Sequence, residues 1–187
     1  MDCLSFISLN TRGTLNKIDR IIREVDQYDI ILLQEQTIND NIIKLYQNKL
    51  KCQVFYSTDD TNDRSIVTLI KQKFHQNIKQ TEILIKGRLI KTIFHIDNKR
   101  YTILNIYGPA QLKDRKNFWN NAFDRIKNEK NIIKGGDLNL VLSKEDTDGT
   151  FKKSKNTTDY QKTLNSMNLI DIHTHMSSEN MKYTYAS

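Results

Sequence analysis

Four apolar runs in this chain end on side chains that can hold a metal, move a proton or grip a phosphate. Phe6-Ile7-Ser8-Leu9 ends at Asn10, and Ile30-Ile31-Leu32-Leu33 ends at Gln34-Glu35. Thr102-Ile103-Leu104-Asn105-Ile106 runs into Tyr107-Gly108-Pro109, and Ile132-Ile133-Lys134 into Gly135-Gly136-Asp137-Leu138-Asn139. Polar residues bound strands everywhere, so one such ending says little, and Gly-Gly-Asp by itself could equally be a turn. Four in one chain say more, because ligand groups in α/β sheets collect just beyond the carboxyl ends of strands. Glu35 and Asp137 are hard oxygen donors, and Asn10 adds an amide oxygen. That set suits Mg²⁺, which takes one or two carboxylates and completes its shell with water and phosphate oxygens. Asn139 and Tyr107 can donate hydrogen bonds to a phosphate. The matching reaction is hydrolysis of a phosphodiester polarised by a metal, with an activated water. Gly135 and Gly136 let the backbone pass close to its neighbours. Pro109 is the only proline in the chain, and with Gly108 it sets the loop that aims Tyr107.

Such residues need a scaffold of strands. Strand patterns occur at Leu4–Leu9, Ile30–Leu33, Gln53–Ser57, Ser65–Ile70, Thr81–Ile85, Leu89–Ile96, Tyr101–Tyr107 and Ile132–Lys134, all rich in Ile, Leu, Val, Phe or Tyr. Helical spacing marks Lys17–Asp26, where Ile18, Ile21, Ile22 and Val25 share a face. Further helices are expected around Ile42–Tyr46, around Phe118–Ile126 and over Thr158–Met167. Several strands run together in mid-chain without strict alternation with helices. The pattern predicts layered α/β structure with a largely antiparallel sheet, or two sheets face to face with helices outside.

At 187 residues with a 37% hydrophobic share, the chain can build one domain with a sizeable core, residues 1–187. No apolar run approaches the ~20 residues of a membrane span, and the first ten residues lack the positive region of a signal peptide. Cys3 and Cys52 form no metal-spaced motif and suggest a reducing compartment, so an intracellular protein, nuclear or cytoplasmic, is expected. The net charge is +7. Lys71, Lys73, Lys79, Lys86, Arg88, Lys91, Lys99 and Arg100 stand against only Glu82 and Asp97 in their stretch, and Lys152, Lys153 and Lys155 form a second knot. Basic surfaces of this kind suit DNA or RNA, although a solvated charged face would read the same way. Lys152, Lys153, Lys155 and Arg88 are therefore candidate DNA contacts.

Taken together, the series Ser8-Leu9-Asn10, Leu32-Leu33-Gln34-Glu35, Asn105-Ile106-Tyr107-Gly108-Pro109 and Gly135-Gly136-Asp137-Leu138-Asn139 resembles the endonuclease/exonuclease/phosphatase superfamily. Within it the chain looks most like the endonuclease domain of LINE-type (non-LTR) retrotransposons. Arg64-Ser65-Ile66-Val67-Thr68-Leu69, Leu169-Ile170-Asp171-Ile172 and Tyr183-Thr184-Tyr185-Ala186-Ser187 extend the similarity over essentially the whole chain. The resemblance implies a DNase I-like four-layer α/β/β/α sandwich. It implies that Glu35 binds catalytic Mg²⁺, or Mn²⁺, with Asn10 close by, and that Asp137 orients or deprotonates the attacking water. Asn139 and Tyr107 would hold the scissile phosphate, Thr184 would contact the DNA strand, and Asp146 matches an acidic residue in the loop beyond. The implied act is nicking DNA to leave a 3′-hydroxyl that primes reverse transcription by a polymerase encoded farther along the same element.

The departures are specific. Gln36 and Thr37 replace the family's usual Thr and His, His173 and Thr174 replace Trp-Arg, and Thr147 replaces an Arg. The family's closing Ser-Asp-His motif occurs nowhere in the 187 residues. The resemblance therefore implies a domain lacking its C-terminal strands, nearly inactive alone and marginally stable. Two alternatives stand beside it: a catalytically inactive remnant that only binds nucleic acid, and a nucleotide or phospholipid phosphohydrolase of the same superfamily, against which the basic clusters and the LINE-like motifs count. Elsewhere, His173-Thr174-His175 could offer two imidazoles but has no third ligand placed by sequence, Glu145–Asp148 reads as an exposed loop, and Trp119 reads as core.

Overall fold

Ile-, Leu- and Val-rich runs become strands where their faces can be buried, and every run named above does so. In chain order they are β1 (Phe6–Asn10), β2 (Ile30–Gln36), β3 (Cys52–Thr58), β4 (Ser65–Lys71), β5 (Ile78–Ile85), β6 (Leu89–Ile96), β7 (Lys99–Tyr107) and β8 (Ile132–Asp137). The helices are α1 (Ile18–Val25), α2 (Asp40–Lys49), α3 (Leu112–Ile126) and α4 (Lys155–Ser166). A 3-10 helix that the apolar pattern does not announce, Gln72–Asn77, joins β4 to β5. The computed structural model describes residues 4–13, 17–59, 65–142 and 155–172. These fall into two compact units, one within Met1–Gly108 and Asn128–Leu138, the other within Pro109–Lys127 and Asn139–Ser187.

The first unit holds two four-stranded mixed sheets, ordered β1-β2-β4-β3 and β5-β6-β7-β8. β1 lies parallel to β2, and β7 parallel to β8; the remaining pairs are antiparallel. The period of two along β2 separates its burial into two cores. Ile31 and Leu33 point to α1 and α2, where Ile21, Ile22, Val25, Ile42 and Tyr46 complete a helix-on-sheet core. Ile30 and Leu32 point the other way and meet Phe94 and Ile103 of the second sheet. α2 starts where the Asn39 side chain accepts from the Ile42 backbone N–H at 3.0 Å, with Asp40 in its first turn and Lys49 in its last. That polarity complements the helix dipole.

In the second unit α3 and α4 pack through rings. Trp119 is 5% exposed, stacks on Phe123 and meets Tyr160 edge-on at 4.6 Å, so it is core as the sequence suggested. The α/β sandwich of two sheets with helices matches the expected fold class.

Candidate active site

Parallel pairing of β1 with β2 and of β7 with β8 brings four strand ends to one edge of the first unit. Asn10 lies opposite Gln34, and Tyr107 opposite Asp137. The Asn10 amide nitrogen donates to Glu35 Oε1 at 2.9 Å and to Asp137 Oδ2 at 2.7 Å. The Tyr107 hydroxyl donates to the same Glu35 Oε1 at 2.8 Å. The orientation of the Asn10 amide is fixed by its partners, because its oxygen accepts the Arg12 backbone N–H at 2.9 Å. The reverse orientation would set an oxygen against two carboxylates and an NH₂ against a backbone donor. In this arrangement the Asn10 nitrogen bridges the two acids, and its oxygen is taken by the Arg12 backbone N–H.

Glu35 sits in a β-bulge. Opposite β4 the register shifts between Leu33 and Gln36, and Glu35 takes φ 54°. A left-handed backbone at a non-glycine residue is uncommon and costs roughly 1–3 kcal/mol. β2 thus runs on through Gln34 and Glu35 to Gln36, where the apolar pattern placed its end at Leu33. The continuation is possible because the polar side chains find partners across the gap between sheets. Buried Gln34 donates to Asn105 Oδ1 at 2.8 Å, and buried Asn105 donates to the Val67 carbonyl at 2.9 Å. This pair ties the strand carrying Glu35 to the strand carrying Tyr107.

The two glycines belong to β8, not to a turn, and each answers to a different neighbour. A Cβ at Gly135 would meet Leu32 Cδ1 at 2.7 Å, on the facing sheet. At Gly136, where φ is 142°, it would sit 1.8 Å from the Ile106 carbonyl oxygen on the neighbouring strand. Their absence of side chains lets β8 close against both and set Asp137 beside Asn10. The Gly108 backbone N–H then donates to the Asp137 carbonyl at 2.7 Å.

Arg88 also reaches this edge. Its guanidinium carbon lies 4.7 Å from the centroid of the Tyr107 ring, and its Nη1 donates to the Gly108 carbonyl at 3.1 Å. The other members of its basic stretch are dispersed. Strand register puts Lys71, Lys73, Lys99 and Arg100 at the opposite end of the sheets from Glu35. Lys71 pairs with Asp26, Lys73 with Asp29, Lys91 with Glu82 and Glu129, and Arg100 with Glu129. The stretch is therefore not one continuous basic face.

Asn139 opens the second unit with φ 51°, and just beyond it the Val141 and Leu142 carbonyls accept from Thr157 and Gln161 of α4 at 3.3 and 2.9 Å. Lys155 begins α4. Lys152, Lys153, Asp146, His173, His175 and Thr184 lie outside the described residues. Sequence reasoning missed Thr11, Gln34, Gln36, Tyr46 and Asn105 as supports of the site. The only signal available was polar side chains inside apolar runs.

The donor set fits a hard divalent cation. Two carboxylate oxygens come within hydrogen-bond reach of one amide nitrogen, and a phenol donates to one of them. Among the described residues no cluster of three His, Cys, Asp or Glu forms a closed protein cage. One or two carboxylates with room for water and phosphate is the Mg²⁺ pattern.

No family model matches the chain. A search of curated proteins finds the transposon TX1 uncharacterized 149 kDa protein of Xenopus laevis, 23% identical over 97% of this chain. The chain spans 14% of that protein. Among solved structures it is similar to the endonuclease domain of TRAS1, a telomere-specific non-LTR retrotransposon, with a TM-score of 0.65 and 13% identity over 88% of this chain and 72% of that one. It is also similar to the AP endonuclease LMAP of Leishmania major, with a TM-score of 0.68 and 15% identity over 98% of this chain and 71% of that one. The chain carries the DNase I-like fold of these endonucleases and is similar in sequence to a transposon protein.

Proposed function

We propose that residues 1–187 form an endonuclease domain of the non-LTR retrotransposon type, which nicks DNA with Mg²⁺ or Mn²⁺ and leaves a 3′-hydroxyl. The observation that carries this is the Asn10 amide, which donates to both Glu35 and Asp137 while Tyr107 donates to the same Glu35 oxygen. Four side chains from four strands converge on one small volume, as a reaction centre requires and a surface ion cluster does not.

Glu35 would hold the divalent ion, with Asp137 next to it. When bound, that ion supplies Lewis-acid polarisation of the phosphate and neutralises charge there. Asp137 accepts the proton of the attacking water, the new bond forms between that water's oxygen and phosphorus, the bond from phosphorus to the 3′ oxygen breaks, and the departing oxygen takes a proton from solvent to become the 3′-hydroxyl. Tyr107 and Asn139 donate hydrogen bonds to the phosphate oxygens as charge builds on them. Asn10 keeps the two acids at a fixed separation. Arg88, Lys152, Lys153, Lys155 and Thr184 contact the DNA backbone. The 3′-hydroxyl serves a reverse transcriptase of the same element, in keeping with the likeness to a transposon protein.

The test is nicking of supercoiled plasmid over long incubations, with and without Mg²⁺, followed by extension of the nick with a polymerase. The expected result is Mg²⁺-dependent, extendable nicks whose rate falls about 10²–10⁴-fold in Asp137→Ala, the range of a lost general base. Absence of Mg²⁺-dependent nicking, or nicking unchanged in Asp137→Ala, overturns the proposal.

A further inference from the structure

We infer that Tyr46 and Gln36 are positioning residues for Glu35: a buried hydrogen-bond relay from α2 through β2 to the turn after β1 holds the Glu35 backbone in its left-handed conformation. The inference rests on the proposed role of Glu35 as the residue that holds the divalent ion.

A bulged residue in a strand needs something to keep it bulged. Relaxed to ordinary extended geometry, Glu35 would present its carboxylate on the other face of β2, because a one-residue change of register reverses every side chain. The carbonyls of the peptide groups on either side of the Glu35 α-carbon are both captured. The Gln34 carbonyl accepts the Thr11 backbone N–H at 3.0 Å and the Thr11 hydroxyl at 3.0 Å. The Glu35 carbonyl accepts the Gly13 backbone N–H at 2.9 Å.

The Thr11 hydroxyl is itself held. It accepts from Gln36 Nε2, and Gln36 Oε1 in turn accepts the Tyr46 hydroxyl at 2.6 Å. Every bond then runs one way: phenol to amide oxygen, amide nitrogen to hydroxyl, hydroxyl to the Gln34 carbonyl. Tyr46 and Gln36 are both 0% exposed and Thr11 is 7% exposed, so water cannot replace a lost link. Burial also pushes the Tyr46 phenol well above its ordinary pKa, which keeps the first donor protonated. Tyr46 belongs to the helix-on-sheet core through its ring, and its hydroxyl alone enters the relay. Tyr46→Phe therefore removes one donor and almost no packing.

The experiment compares the wild-type chain with Tyr46→Phe, Gln36→Leu, the double variant, and Ile42→Val as a packing control from the same core. Mn²⁺ binding is followed by electron paramagnetic resonance of the free ion, and exchange of the Gly13 amide hydrogen by NMR. Tyr46→Phe is expected to weaken Mn²⁺ binding about ten-fold, the usual effect of losing an outer support. It should also speed Gly13 exchange. The double variant should lose no more than Gln36→Leu alone, because the links act in series. Ile42→Val should lower the melting temperature while leaving Mn²⁺ affinity and Gly13 exchange unchanged. Wild-type Mn²⁺ affinity and Gly13 exchange in Tyr46→Phe, or equal losses in Ile42→Val, overturns the relay. Should the wild-type protein bind no Mn²⁺, the metal-holding role of Glu35 falls, and Gly13 exchange decides the relay on its own.

Discussion

Glu35 and Glu129 stand at opposite ends of the same pair of sheets and are satisfied in opposite ways. Glu129 takes Lys91 at 3.1 Å, Arg100 at 2.7 Å and the Thr102 hydroxyl at 3.0 Å, with its side chain only 14% exposed. Glu35 takes the amide of Asn10 and the phenol of Tyr107, both neutral. A carboxylate balanced by its own chain's cations is a brace. One steadied by neutral donors keeps its negative potential and can attract a cation from solution. The same residue type is a brace at one end of the sandwich and, on the proposed mechanism, the holder of a cation at the other.

The largest effect expected from this contrast is on metal binding. Glu35→Gln removes the charge with little change of volume, and should weaken Mn²⁺ binding by about 100-fold or more. Glu129→Gln should leave it untouched. Calorimetric titration of the two variants breaks the comparison if Glu129→Gln loses as much affinity as Glu35→Gln.

Stability should show the reverse order. Glu129→Gln takes from nearly buried Lys91 one of its charged partners, leaving Glu82, and should cost about 2 kcal/mol in urea unfolding. Glu35→Gln should cost much less, since a Gln can still accept from Tyr107.

Acid should reveal the same division. Burial works against ionisation of Glu129, but hydrogen bonds from Arg100, Lys91 and Thr102 outweigh it and its carboxyl titrates below the usual range. Asp29 behaves alike, with burial outweighed by Lys73 and by the backbone and hydroxyl of Ser5. A carboxyl depressed on folding contributes fully above its unfolded pKa of about 4 and loses that contribution as pH falls through the folded value. The stability gap between wild type and Glu129→Gln should therefore be level near neutrality and close in acid below about pH 4. A gap that widens in acid would show that the pairing is misread.

The smallest effect concerns salt. DNA affinity should fall with salt, and replacing Lys152, Lys153 and Lys155 by Ala should flatten the logarithmic slope by about 0.9 for each phosphate left without its lysine. Lys73→Ala and Arg100→Ala, at the braced end, should leave the slope alone. Filter binding across a salt series sharpens the comparison. Equal flattening by Lys73→Ala would place DNA at the wrong end.

The strands and helices were legible because apolar runs and helical stripes are local signals. Ile18, Ile21, Ile22 and Val25 announce α1, and Leu89–Ile96 is read to the residue as β6. Glu35 and Asp137 were legible as acids at strand ends. What escaped depends on partners far along the chain. Gln34 reads as a stop because a buried amide looks unfavourable until Asn105 is set opposite it. The bulge at Glu35 depends on Thr11 and Gly13, more than twenty residues away in sequence. The orientation of the Asn10 amide follows from Arg12 and two distant carboxylates. The basic stretch misled because charge is additive along a sequence but is divided between two ends by strand reversal.

The paired glycines bear on how such chains are found. Gly135 reports the spacing between two sheets and Gly136 the closeness of a neighbouring carbonyl, so both are demanded by architecture before any reaction is considered. A search keyed to Gly-Gly-Asp is in two of its three letters a search for a shape. A descendant that kept the glycines and replaced Asp137 would still meet those architectural demands and, on the proposed mechanism, would be chemically silent. On the proposed mechanism, the third letter is the one that speaks of chemistry.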